Sequence, residues 1–210
     1  MAVNQINQPV RMNMKSTFRE TNSIALPFTN KEISMIPFDL ETLSGLPIEF
    51  KDTVLTMMSG IKSKGIAFFT IHGKAIKAGK TLRRPAPHTD GNYEPVTMGF
   101  GGGDGGGWKI GENGSPVNTD EHNRQYNSET GGIILATNYA SCLGWKGEYQ
   151  GLPNVGGDCR HIELDEPFLL KADTVYYGNN HFIHESIPVG RDVHRVFARI
   201  TMPQDHEFNH

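Results

Sequence analysis

Apolar residues recur at helical intervals in only one stretch of the chain, PIEFKDTVLTMMSGIKSKG. They follow the spacing of one helix face: Phe50, Val54, Met57, Met58 and Ile61. Gly65 follows a basic last turn, which is typical of a helix end. The next stretch, IAFFTIHG, is rich in β-branched and aromatic residues and predicts a buried strand. This part of the chain therefore predicts a helix that leads directly into a strand.

From about Thr81 onward, the pattern changes to short apolar runs separated by glycine and proline, without a convincing amphipathic helix. Such a pattern predicts strands joined by turns. We place these strands at residues 88–90, 93–100, 133–138, 159–164, 168–170, 174–177, 182–188 and 193–202. About eight strands in one domain indicate a mainly β fold, either a sandwich or a jelly roll.

Two segments do not follow the strand pattern. Residues 1–23 are rich in Asn, Gln and Thr, and we interpret them as a polar N-terminal arm that is mobile or lies across the domain. Residues 24–210 are expected to form a single domain, because all-β domains of this size are commonly undivided. Residues 101–131 are too polar and glycine-rich for a core, and one hypothesis is a lid with Trp108 and Tyr126 as substrate contacts.

Charge and cysteine content narrow the classes of partner. The 20 Lys and Arg residues against 23 Asp and Glu residues give a net charge of −3, which does not favour nucleic acid. Cys142 and Cys159 are too few for a disulfide framework or a thiolate metal site, so a reducing, cytoplasmic setting is expected. No run is long and apolar enough for a membrane span or a signal peptide, and no membrane partner is expected.

The stretch RRPAPHTDGNYEP places His88 and Asp90 one residue apart. On a strand, residues i and i+2 point to the same face, so both side chains could bind one metal ion. The same pair could instead belong to a surface turn, because DGN is typical of turns. A second His-x-Glu pair, His161 with Glu163, is interpreted as an exposed feature of a strand. The first pair becomes informative only if partners occur elsewhere in the chain.

The stretch KADTVYYGNNHFIHESIPVGRDVHRVFARITMP supplies such partners. His184 begins an extended run, and Arg195 lies 11 residues later (195 − 184) on the next strand, where alternation puts Arg199 on the same face. Two imidazoles and one carboxylate on one side of a metal leave open positions suited to Fe(II) and dioxygen. A planar, permanently charged arginine suits a carboxylate. His181 is the alternative to His184 as a ligand, and Arg199 is the alternative to Arg195.

The order His-x-Asp, a long gap, His-x(3)-Pro-Val, a turn and then Arg resembles the iron(II)/2-oxoglutarate-dependent dioxygenase superfamily. The C-terminal phrase is similar to the corresponding part of its prolyl-hydroxylase-like branch. This resemblance implies a double-stranded β-helix, a cupin-like jelly roll, with a few flanking N-terminal helices. It also implies that His88, Asp90 and His184 are catalytic ligands of Fe(II), and that Arg195 binds the distal carboxylate of the co-substrate 2-oxoglutarate. The implied activity is a hydroxylation that releases succinate and CO2.

The sequence also departs from this pattern and leaves alternatives. Phe197 stands where some branches have the serine of an Arg-x-Ser pair, so a second contact to the carboxylate must come from elsewhere. One alternative is a cupin-like metalloprotein, either an isomerase or a dioxygenase without a co-substrate, which would not use Arg195. Another is a non-catalytic jelly-roll module. The substrate, small or peptidyl, is not identified, and the polar arm could wrap a neighbouring subunit in a homo-oligomer.

Overall fold

The computed structural model describes residues 13–90, 108–110, 116–118, 131–154, 157–203 and 205–209. Over these residues the protein is mainly β and contains one short helix, α1 (Lys51–Met57), preceded by a 3-10 turn (Ile48–Phe50). The strands are β1 (Asn13–Ser16), β2 (Phe18–Ser23), β3 (Glu32–Asp39), β4 (Ile66–Ile76), β5 (Trp108–Ile110), β6 (Pro116–Asn118), β7 (Ile133–Thr137), β8 (Cys142–Trp145), β9 (Gly147–Gln150), β10 (Phe168–Leu169), β11 (Thr174–Gly178), β12 (Ile183–Ser186) and β13 (Val193–Thr201).

Two antiparallel sheets form the body of the structure and are consistent with a β-sandwich. One has six strands in the order β2-β11-β7-β13-β4-β3, and the other has three in the order β10-β8-β12. Within the larger sheet, β13 pairs with β4 from Val193 opposite Ile76 to Thr201 opposite Phe68. Outside the named strands, His88 forms a bridge to His184 of β12 and thereby extends the smaller sheet.

Side chains of β13 alternate between two packed layers, as the sequence predicts. On one face, Val196, Ala198 and Ile200 pack in the cluster that contains Val54 and Met57 of α1. On the other face, Phe197 packs in a cluster with residues from the smaller sheet and its turns, including Cys142, Leu170 and Phe182. The larger sheet therefore carries α1 on one side and the smaller sheet on the other, and the odd-numbered side chains of β13 point between the two sheets.

The predicted helix is present but shorter than the apolar pattern indicated. It ends at Met57, where the Met58 N–H donates to the Val54 carbonyl oxygen at 2.9 Å. Gly60 then has a φ of 77°, a left-handed conformation that glycine adopts without steric cost, so the helix does not continue to Gly65. Within the residues that the structure describes, the expected few flanking helices reduce to α1 and its preceding turn.

Most of the described strands in the C-terminal part lie where the sequence places them. The predictions at 133–138, 168–170, 174–177, 182–188 and 193–202 correspond to β7, β10, β11, β12 and β13. The predicted strand at 159–164 is wrong: the Ile162 N–H donates to the Cys159 carbonyl at 3.0 Å, which closes a turn. The predicted strand at 93–100 lies outside the described residues, as do most of residues 101–131, Tyr126 included.

The strand β8 was not predicted because a glycine interrupts its apolar run. A Cβ atom at Gly144 would lie 3.0 Å from the Phe182 ring and 3.1 Å from Leu170, so close packing between the smaller sheet and its neighbours requires glycine there.

Residues 13–23 differ from the predicted polar arm. β1 pairs with β9, and β2 pairs with β11 to form the edge of the six-stranded sheet. Met14 and Phe18 are buried, whereas the remaining side chains of β2 are half-buried or exposed, as suits an edge strand. The polar composition of residues 13–23 therefore gave no indication of β1 and β2. These residues belong to the sheets, so no boundary between an arm and the domain lies at residue 23. Residues 1–12 lie outside the described part.

Two further observations concern cysteines and membranes. Cys142 and Cys159 are both buried and neither forms a disulfide. Within the described ranges, no helix has both the length and the apolar character that crossing a bilayer would require.

Candidate metal centre

The backbone brings His88, Asp90 and His184 together at the β12 edge of the smaller sheet. The His88 N–H donates to the His184 carbonyl at 3.0 Å, and the His184 N–H donates to the His88 carbonyl at 2.9 Å. This reciprocal pair makes the two histidines direct cross-strand neighbours. The Thr89 N–H donates to the Gly157 carbonyl at 2.9 Å and fixes the backbone before Asp90. All three side chains are buried, and their ligand atoms lie within 4.8 Å of one another.

Both histidines are oriented by hydrogen bonds to backbone carbonyls. Nδ1 of His88 lies 2.8 Å from the Ala86 oxygen, and Nδ1 of His184 lies 3.0 Å from the Phe182 oxygen. Because a carbonyl only accepts, each Nδ1 must carry a proton, which leaves Nε2 of the neutral ring with a free lone pair. Metal-binding histidines are held in this way.

The residue that orients His88 is itself strained. Ala86 lies between two prolines and has a φ of 75°, a left-handed conformation that residues other than glycine seldom adopt. Such conformations persist only where the surrounding structure imposes them, and they cluster at functional sites. Here the conformation aims the Ala86 carbonyl at His88.

The electrostatic environment keeps His88 neutral and Asp90 ionised. Burial, together with the positive potential of His184 and Arg84, lowers the pKa of His88 to about 3. Burial alone would raise the pKa of Asp90, but the Arg199 guanidinium and the His184 ring hold that pKa well below its ordinary value. At neutral pH the group therefore presents one carboxylate and at least one uncharged imidazole.

The Asp90 carboxylate and the His184 ring face each other. Oδ2 of Asp90 lies 3.2 Å from Nε2 of His184, and Oδ1 of Asp90 has no hydrogen-bond partner in the described structure. Two lone pairs at this separation repel unless a proton or a cation lies between them. Two ligand atoms about 2.1 Å from one metal ion and at right angles would be about 3 Å apart. The donor set and its spacing thus fit a metal ion.

A buried arginine contacts the same carboxylate. Arg199 is 2% exposed, and its Nη1 donates to Oδ2 of Asp90 in a short ion pair. Its Nη2 lies 3.1 Å from the sulfur of Met35, and its Nε has no hydrogen-bond partner within the described part of the chain. The sequence presented Arg199 only as an alternative to Arg195, and it contained no signal for the pairing with Asp90.

Arg195 is completely buried among uncharged groups. Its Nη1 donates to Ser186 Oγ at 2.7 Å, its Nη2 to Cys142 Sγ at 2.9 Å and its Nε to Thr137 Oγ1 at 3.3 Å. Burial raises the pKa of the Cys142 thiol, so this group is not a counter-ion at neutral pH. Burial also lowers the pKa of Arg195. None of these three contacts supplies a negative charge, which is unusual for a buried guanidinium.

The sequence pattern gave no indication that Ser186, Thr137 or Cys142 are neighbours of Arg195. A weak signal existed for Ser186, since it follows His184 by two residues on the same strand and therefore shares its face.

The competing histidine His181 is buried and outside the three-residue group, and neither ring nitrogen has a partner among the described residues. Burial lowers the pKa of His181 to about 4.

Comparisons with protein-family models, with curated proteins and with solved structures gave no match for this chain. A function therefore has to be inferred from the chemistry of the site itself.

Proposed function

We propose that the protein is an Fe(II)- and 2-oxoglutarate-dependent oxygenase that hydroxylates its substrate. The observation that supports this most directly is the combination of two buried groups. One is the cluster of His88, Asp90 and His184, in which a carboxylate oxygen faces an imidazole nitrogen at 3.2 Å. The other is Arg195, a buried cation whose three contacts are uncharged. The first group could hold a metal ion, and the second is suited to binding an anion.

His88 Nε2, His184 Nε2 and an oxygen of Asp90 would hold the metal. Two imidazoles and one carboxylate on one side of an ion favour ferrous iron with open positions over a closed zinc site. Bound Fe(II) with 2-oxoglutarate and dioxygen supplies the oxidation of a C–H bond, with succinate and CO2 as co-products. The chain's own contribution is to keep both Nδ1 atoms protonated and both Nε2 lone pairs directed at one point.

Arg195 would bind the distal carboxylate of 2-oxoglutarate. A buried guanidinium forms strong charge-assisted hydrogen bonds, because the low local dielectric strengthens the attraction. Ser186 Oγ lies 2.7 Å from Arg195 Nη1, and it would provide the second contact that Phe197 cannot. Ser186 and His184 are two residues apart on β12, about 6.6 Å at the usual rise per residue. This separation is comparable with that between the carboxylates of 2-oxoglutarate.

We further propose that the fold is a double-stranded β-helix. Consecutive strands alternate between the sheets: β10 and β12 belong to the smaller sheet, whereas β11 and β13 belong to the larger one. The strand β7 of the larger sheet is likewise followed by β8 of the smaller sheet. Such winding between two antiparallel sheets is the pattern of a jelly roll, and it supports the assignment of His88 and His184 to facing positions of one sheet.

The alternative functions account for less of the site. A cupin-like metalloprotein would use the metal group but would leave Arg195 as a buried charge without a role. A non-catalytic module would have a use for neither group. Burying an unpaired charge costs several kcal/mol, so a site that retains one is better explained by an anionic ligand.

The test is an anaerobic titration of the metal-free protein with Fe(II) and then with 2-oxoglutarate. We expect the weak visible charge-transfer band of a keto acid chelated to iron. Asp90→Ala should weaken both iron binding and the band, whereas Arg195→Ala should spare iron binding and lose the band. Arg191→Ala, a change at an exposed turn residue, is the matched control and should keep both.

Three results would contradict the proposal in different ways. Iron binding without a 2-oxoglutarate band would favour the cupin-like alternative. A band that persists in Arg195→Ala would remove Arg195 from the co-substrate site. Failure of the protein to bind Fe(II) would leave the histidine and aspartate cluster with a structural role only.

A further inference from the structure

The guanidinium of Arg199 has two edges with different partners. Nη1 is directed at the Asp90 carboxylate. The other edge, formed by Nε and Nη2, is the side-on pair of donors that binds an oxyanion bidentately. Nε has no partner and Nη2 meets only the Met35 sulfur at 3.1 Å, a weak acceptor, so no oxygen atom of the described residues contacts this edge.

Charge balance indicates that this edge needs an anion once the site is loaded. A divalent metal ion, the Arg195 and Arg199 guanidinium groups and the Asp90 carboxylate together leave three positive charges. 2-Oxoglutarate would neutralise two of them. One positive charge remains in a buried region. Metal binding would also divert the charge of Asp90 away from Arg199.

The side chain that covers the edge is held in place by a strained backbone. Met35 has a φ of 53° and lies where the register between β3 and β4 shifts, and its N–H donates to Thr70 Oγ1 at 3.1 Å. Left-handed backbone at a residue other than glycine is strained and is found mainly at functional sites. A methionine side chain is flexible and can be displaced at little cost. The irregularity thus puts a movable apolar group over the open donors of Arg199.

We propose that the Nε and Nη2 edge of Arg199 binds an anionic group of the substrate, and that the substrate is therefore a small molecule bearing a carboxylate or a similar oxyanion. Met35 covers this edge in the absence of substrate and moves aside when the anion binds. This inference rests on the proposed function, because it assumes that Asp90 binds a metal and that 2-oxoglutarate occupies Arg195.

The experiment measures the binding of simple probes to the intact protein. Fe(II) and saturating 2-oxoglutarate are added anaerobically, and the visible band reports the loaded site. Butyrate and its uncharged analogue butyramide are then titrated separately by calorimetry, with methanesulfonate and inorganic phosphate as further arms to distinguish the oxyanions. Saturating 2-oxoglutarate prevents the probes from occupying Arg195. We expect butyrate to bind roughly tenfold more tightly than butyramide, the effect of about one charge-assisted hydrogen bond.

Two substitutions locate the effect. Arg199→Gln should remove the preference for butyrate over butyramide, and Arg191→Gln, at the exposed turn, should preserve it. Met35→Ala keeps every charge and the Arg199–Asp90 ion pair but uncovers the edge, so it should tighten butyrate binding several-fold. This second variant gives a decisive result even if Arg199→Gln does not fold.

The outcomes separate this inference from the proposed function. If the band forms but none of the anions binds better than butyramide, the inference fails while the oxygenase proposal stands. The same conclusion holds if Arg199→Gln keeps the preference, or if Met35→Ala leaves butyrate binding unchanged. If the band never forms, the oxygenase proposal fails and this inference fails with it. Preference for methanesulfonate or phosphate over butyrate would support the site and change the class of oxyanion.

Discussion

Replacing Arg195 with methionine should make the ligand-free protein more stable. The guanidinium is 0% exposed and has only uncharged partners, so the folded protein bears its desolvation cost without a compensating ion. That cost is several kcal/mol for a buried ion. A methionine of similar length fills much of the same volume without a charge.

Replacing Arg195 with methionine also lowers stability, because the hydrogen bonds of the guanidinium are lost. Only the bond to Ser186, at 2.7 Å, is a short bond to oxygen, because the bond to Thr137 is 3.3 Å long and Cys142 offers sulfur. Losing that bond and leaving Ser186 without its partner costs about 1–3 kcal/mol. The net expectation is about 1–2 kcal/mol of added stability, which corresponds to a rise in Tm of about 2–8 °C for a chain of this size.

The assay is thermal unfolding in the presence of a chelator and without 2-oxoglutarate. Arg191→Met removes an exposed arginine and serves as the control, with an expected change near zero. Wild-type protein with metal should gain stability on addition of 2-oxoglutarate, and Arg195→Met should not. A Tm for Arg195→Met below that of the control would mean that Arg195 stabilises the fold, and the argument from its missing counter-ion would be refuted.

Three further predictions concern the metal group and the buried His181. Gly157→Ala places a Cβ 2.0 Å from the Thr89 carbonyl oxygen and should lower Fe(II) affinity about tenfold or more by displacing Asp90, whereas Gly190→Ala meets nothing within 4 Å and should not. Removing the metal should lower stability by about 2.7 kcal/mol where Fe(II) was at a hundred times its Kd; a chelator effect of equal size in Asp90→Ala would contradict this. Burial lowers the pKa of His181 to about 4 in the folded protein, against 6.5 in the unfolded chain, so the unfolded chain binds the proton first as the pH falls. The free energy of unfolding should therefore decrease as the pH drops from 6.5 to 4. In His181→Leu, the free energy of unfolding measured with urea should change less over that pH range. If its pH dependence is the same as in the wild type, burial does not lower the pKa of His181.

The features that sequence could predict depend on local periodicity. Alternation along β13 correctly puts Arg195 and Arg199 on one face, because that periodicity is a property of a single strand. The two-residue spacing of His88 and Asp90 similarly indicates a shared face. Their grouping with His184 was implied by the resemblance to the iron(II)/2-oxoglutarate-dependent dioxygenases, and the structure brings the three residues together.

Features that depend on contacts between distant strands could not be predicted. The contact between Ser186 and Arg195 joins β12 of the smaller sheet to β13 of the larger sheet, and the Arg199–Asp90 ion pair joins residues far apart in the chain. The strands at residues 13–23 were also missed, since an edge strand with one buried end has a composition close to that of a loop. The strand β8 was missed for a different reason. Close packing requires glycine at position 144, and a glycine in an apolar run counts against a strand in sequence patterns.

The unequal anchoring of the three side chains has a consequence for the kinetics of metal exchange. The His88 and His184 rings are held by Nδ1 hydrogen bonds to the backbone carbonyls of Ala86 and Phe182, so an imidazole can turn away only by breaking a bond to the fixed backbone. Asp90, by contrast, is held through its side chain, by the Arg199 guanidinium. Departure of a bound ion should therefore begin with rotation of the carboxylate, and the strength of the Arg199 contact would set the residence time of the metal. Weakening that contact should accelerate exchange more than it changes the arrangement of the two rings.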